Sequence, residues 1–185
     1  METTIESATV TEQEIAAAVR RATDEVFSTM LGIEISGGEM DTAQTAGCTQ
    51  SGVVALLGLA GDWIGSGSVS CSPEFACRMA SQLLMSEYGA VNEDVLDAVA
   101  EVANMIVGNV KTHLEEKLGP MGLSTPTVIY GRNFQTRSTR NQEWTVVPFD
   151  CEGERLYVQV CLVPNQDQGQ KTTRAGFPVP HVLNV

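Results

Sequence analysis

The chain has 185 residues, with 23 Asp and Glu against 11 Lys and Arg, giving a formal net charge of −12. Its 43% apolar and 18% charged residues suit one globular domain with a sizeable core. The acidic balance excludes nucleic acid and an anionic membrane surface as main partners, because both require clustered Lys and Arg.

Residues 1–10 are polar and read as a flexible N-terminus. They hold neither the basic nor the apolar region of a secretory signal, so a cytoplasmic location is expected. Thr11-Glu12-Gln13-Glu14 is a capping box. Behind it Ile15, Val19, Ala22, Val26 and Met30 recur at helical spacing, and Gly32 supplies a stop, predicting a helix over 12–31. Ile33 and Ile35 predict a short strand before the Gly37-Gly38 turn.

Gly52–Ala60, the Gly61-Asp62 turn and Trp63–Ser70 predict a hairpin. Gly65-Ser66-Gly67-Ser68 lacks the Lys-Ser/Thr ending of a phosphate loop and reads as a strand under close packing. Ser72-Pro73-Glu74 opens a second helix, which runs to Tyr88-Gly89 with Phe75, Met79, Leu83 and Leu84 inward. Met79 and Met85 read as core filler.

A third helix is expected from Asn92-Glu93-Asp94 to Gly119-Pro120, followed by strands near 127–130, 144–150 and 154–163. Arg132, Arg137 and Arg140 form a small basic cluster that reads as a solvated loop, with an anion contact as the lesser alternative. From Asn165 onward the chain is polar with Gly and Pro, so residues 165–185 read as a mobile tail after a single domain over 11–164. The order of elements predicts an α+β fold with long helices packed on a largely antiparallel sheet.

The five cysteines, Cys48, Cys71, Cys77, Cys151 and Cys161, contain no CxxC pair, and only His113 and His181 accompany them. No metal site is expected, and the thiols read as free and buried in a reducing compartment.

The third helix carries the chemistry. At about 100° per residue Val99, Ala103, Ile106, Val110 and Leu114 share one side. Asp97, Glu101, Asn104, Gly108 and Lys111 share the opposite one. A solvated polar face explains most of this stripe, but two residues fit it poorly. Gly108 in mid-helix costs about 1 kcal/mol relative to Ala, and Asn104 is a mediocre helix former. A glycine clears space for another surface. A carboxamide has no useful pKa, yet it can orient a water by accepting and donating at fixed geometry. An acyl phosphate needs little more than an in-line water, and a carboxylate one turn away can pair with a partner's cation.

The segment Asp97-Ala-Val-Ala-Glu101-Val-Ala-Asn104, followed by Gly108, resembles the active helix of the CheC/CheX/FliY phosphatases of bacterial chemotaxis. Pro126 takes the place of that signature's proline at a gap one residue shorter. The single Glu-x-x-Asn copy and Val26–Leu31 of helix one make the chain more similar to CheX than to the two-motif members.

The resemblance covers roughly residues 11–163. It implies hydrolysis of the phospho-aspartate of a CheY-type response regulator, with Asn104 positioning the water and Glu101 pairing with the receiver's lysine. Asp97, Gly108 and Pro126 would border the receiver, and the receiver, not this chain, would hold Mg²⁺. A homodimer joined through sheet edges is also implied. Two rivals remain: an adaptor that binds a phosphorylated receiver without hydrolysis, and a small-molecule hydrolase using Glu101 as base in a concave pocket.

Overall fold

Thr11 starts α1 (Glu12–Val26) by the predicted capping box. Its Oγ1 accepts the Glu14 N–H at 3.3 Å, and the Glu14 carboxylate accepts the Thr11 N–H at 2.8 Å. The helix then widens into a π-turn over Phe27–Leu31 rather than continuing as α-helix. The Ser28 and Thr29 hydroxyls donate to the carbonyls of Asp24 and Glu25 there, competing with the regular ladder. Gly32, in the left-handed region at φ 63°, returns its N–H to Phe27 and closes the element. The computed structural model that shows this describes residues 10–38, 50–137, 143–165 and 181–183.

The strand expected near Ile33 and Ile35 is displaced to β1 (Ser36–Gly37), while Ile33 is buried. The hairpin forms as β2 (Gln50–Gly61) and β3 (Trp63–Cys71). Ser72 caps α2 (Pro73–Leu84) by accepting the Phe75 N–H, and it donates to Glu154 at 2.5 Å. α2 ends four residues before Tyr88. Ser81 causes this: its carbonyl accepts the N–H of both Met85 and Ser86, and its hydroxyl accepts that of Tyr88. Met85 is therefore not core filler; it stands 93% exposed with φ 52°. Met79 is fully buried as expected.

After α3 (Glu93–Leu118) come β4 (Met121–Leu123), β5 (Thr127–Arg137), β6 (Thr145–Cys151), β7 (Glu154–Pro164) and β8 (His181–Leu183). All pairings are antiparallel, in the order β1-β6-β7-β3-β2-β5-β8, with β4 also on β2. β4 was not foreseen. β5 is longer than expected, so Arg132 and Arg137 lie on a strand and not in a loop; Arg140 and Cys48 lie outside the described residues. Within the expected tail, residues 181–183 pair with Arg137–Gln135 of β5.

One sheet face carries Val53, Ala55, Leu57, Val69, Val158 and Val160 into a core shared with the helices. On the other face Val54, Leu56 and Phe134 cluster with Ile129. Gly65 and Gly67 of β3 are glycines of close approach. A Cβ on Gly65 would collide with the Cys161 carbonyl, and one on Gly67 would lie 2.7 Å from Val107 of α3. The stacked rings of Phe27 and Phe75, 6.1 Å apart, tie the end of α1 to α2. Cys71, Cys77 and Cys151 are buried free thiols, and Cys161 is buried too. Burial pushes Cys71 up to about 12 and Cys161 up to about 11, which keeps both protonated at neutral pH.

Candidate functional site

Asn92 caps α3 by accepting the Val95 N–H at 3.0 Å, and Glu93 and Asp94 place carboxylates at the positive end of the helix. Val99, Ala103, Ile106, Val110 and Leu114 are buried, as the periodicity requires. On the opposite side Asp97 and Glu101 are exposed, and Asn104 and Gly108 are half-buried. Glu101 and Asn104 are one turn apart, about 5–6 Å between Cβ atoms, so both reach one small object.

The fifth residue of the stripe behaves differently. Lys111 donates to Glu115 at 2.8 Å and is half-buried, so it is engaged within its own helix. The same Glu115 oxygen accepts the Met121 N–H at 2.8 Å. The Lys111 hydrogen bond first, and the Met121 amide second, hold the Glu115 carboxyl below its ordinary range. That carboxylate pins β4 against α3.

As a result Leu123 of β4 borders Gly108. A Cβ added at Gly108 would lie 3.8 Å from the Leu123 side chain, an ordinary contact, with nothing else within 4 Å. The fold therefore has room for alanine there, and no contact within the described molecule demands glycine.

Pro126 lies off the helix, in the connection from β4 to β5. Ser124 anchors that connection: its N–H donates to the Gly58 carbonyl at 2.9 Å, and its hydroxyl accepts the Gly58 N–H at 2.8 Å. The fold thus brings Asp97, Glu101, Asn104 and Gly108 onto one face and leaves Pro126 on a neighbouring wall. Leu123 escaped the sequence reading, since three residues between turn-like neighbours carry no strand signal of their own.

Among the described residues no group of three or more His, Cys, Asp or Glu side chains is arranged to hold a metal ion. None of the described helices is long and apolar enough to cross a membrane. The stripe can orient a water and engage a cation, but holds no strong nucleophile.

A family model described as chemotaxis phosphatase CheX matches residues 53–150, which run from β2 through α3 to β6. The chain belongs to the CheX family. The CheY-P phosphatase CheX of Thermotoga maritima is 30% identical over 115 residues, covering 62% of this chain and 74% of that protein. The crystal structure of a CheX from Desulfovibrio desulfuricans superposes with a TM-score of 0.71 at 30% identity, over 81% of this chain and 99% of that one. A third CheX, from Borrelia burgdorferi, was solved in a complex with CheY, BeF3 and Mg²⁺. It matches with a TM-score of 0.67 at 30% identity, over 79% of this chain and 96% of that one.

Proposed function

We propose that this protein hydrolyses the phospho-aspartate of a CheY-type response regulator, using the exposed stripe of α3. The observation that carries this reading is the pair Glu101 and Asn104, one turn apart on a face the core does not use, beside a glycine the fold does not need. In the docked state the Asn104 carboxamide oxygen accepts a hydrogen bond from a water and holds it in line with the phosphorus. Attack by that water breaks the acyl phosphate bond, releasing phosphate and the receiver's free carboxylate. Glu101 pairs with the receiver's lysine and sets the register. Asp97, Gly108 and Pro126 border the contact. The Mg²⁺ of the reaction belongs to the receiver.

Its relatives' activities support this reading: the Thermotoga maritima relative is a CheY-P phosphatase, and the Borrelia burgdorferi one forms a complex with CheY. A homodimer joined through sheet edges is part of the proposal, and sedimentation equilibrium tests it. The activity is tested by following loss of label from phosphorylated CheY-type receivers of the source organism. Addition of the protein is expected to accelerate that loss for at least one receiver; no acceleration for any would overturn the enzymatic reading, and phosphate-dependent binding without turnover would establish an adaptor instead.

A further inference from the structure

Tyr130 is the one large aromatic side chain among the described residues that is more than half exposed, at 52%. It belongs to β5, and its register places it. Val53 of β2 lies directly opposite Tyr130, and Ala55 opposite Val128. Val53 and Ala55 both point into the core beneath the helices, so Tyr130 and Val128 share that helix-facing side of the sheet. Pro126 has the same parity two residues earlier.

The level along α3 follows from two contacts. Gly67, which pairs with Leu57, lies against Val107. At the far end, Gly119 lies beside Asp62 at the β2–β3 turn, so α3 runs in the direction of β2. With rises of about 1.5 Å per helical and 3.3 Å per strand residue, Asn104 falls near the Ala55–Val128 pair. By the same arithmetic Glu101 flanks that pair from the other side, and Asp97, one turn earlier, falls near the Val53–Tyr130 pair. α3 packs alongside β5, so Pro126, Val128 and Tyr130 form a wall next to the stripe that holds Glu101 and Asn104.

We infer that Tyr130 is a receiver-binding residue, its ring packing against the phosphorylated receiver while Asn104 and Glu101 engage the active site. This rests on the phosphatase reading above. The occupant follows from continuity: the ring stands level with Asp97, one turn before Glu101 on the same open side, and a partner lowered onto the stripe meets the wall as well. An amphipathic ring with two torsions gives much contact area for little lost entropy, which is why tyrosine is favoured at such surfaces. The sequence pattern gave no sign of it, because only strand pairing places Tyr130 beside α3.

The test measures binding and turnover separately. Beryllofluoride–Mg²⁺ forms of the source organism's CheY-type receivers are titrated with wild type, Tyr130→Ala and Tyr130→Phe, and phospho-receiver hydrolysis is followed in parallel. Tyr130→Ala is expected to raise Kd and KM five- to tenfold with kcat within twofold of wild type, and Tyr130→Phe to match wild type. Circular dichroism and sedimentation are expected to be unchanged. A Tyr130→Ala Kd within twofold of wild type, or a loss traced to a changed association state, overturns the inference and leaves the phosphatase reading standing. A wild type that neither binds nor hydrolyses any receiver overturns both.

Discussion

Gly108 separates the needs of the fold from those of the surface. In mid-helix it gives up about 1 kcal/mol against alanine, and the added Cβ would meet only Leu123, at 3.8 Å. Gly108→Ala is expected to raise the unfolding midpoint in urea, by about 0.5–1 kcal/mol of stability. If the glycine clears space for the receiver, the same substitution weakens receiver binding. An unchanged receiver affinity would remove Gly108 from the contact. Gly67 is the opposite case, since its Cβ would lie 2.7 and 2.8 Å from the two methyls of Val107, a stiff β-branched side chain. Gly67→Ala is expected to destabilise by about 1–3 kcal/mol, read from the same urea curves. The two glycines mark two surfaces of α3, one pressed on the sheet and one left open.

Among the elements, α1 and α3 are joined at the surface by Lys117 and Glu14 at 2.7 Å. That hydrogen bond, followed by those from Thr11, holds the Glu14 carboxyl at about 2. A carboxyl lower in the folded than in the unfolded chain contributes stability above its unfolded value of about 4.3. That contribution is lost as pH falls through about 2. The melting temperature of wild type is therefore expected to exceed that of Glu14→Gln at pH 7, with the gap closing between about pH 4 and pH 2. A gap independent of pH would assign the difference to packing. The pair is half-exposed, and the effect is expected to be small and salt-sensitive.

Elements were legible from sequence where their signals are local. The capping box, the Ser72-Pro73 start and the 26-residue periodicity of α3 all depend on neighbours within a few residues. The stripe of α3 was legible for the same reason. β4, the length of β5 and the strand at 181–183 were not, because each exists only through a partner strand distant in sequence. Met85 was misread because its place depends on the Ser81 hydroxyl ending α2 early. The same limit hid the wall of Pro126, Val128 and Tyr130.

For the whole molecule, the net charge of −12 says little about the site. Residues 1–94 hold 14 of the 23 carboxylates and only 3 of the 11 basic groups, whereas the half containing most of α3 is nearly neutral. The sheet serves to present one helix. Its inner face buries one side of α3, and β4 and β5 flank the other side without closing over it. Such an arrangement suits the proposed reaction, in which Asn104 would supply orientation to another protein's active site and the receiver would supply the metal and the bond to be broken.

The most direct measurement is single-turnover hydrolysis of a phosphorylated CheY-type receiver at saturating protein, wild type against Asn104→Ala, with binding of the receiver measured alongside. The account predicts that Asn104→Ala still binds but hydrolyses about 10²–10³-fold more slowly, a loss of about 2.7–4 kcal/mol like that of an oxyanion-hole donor. An Asn104→Ala variant that at saturation hydrolyses the receiver as fast as wild type would contradict it.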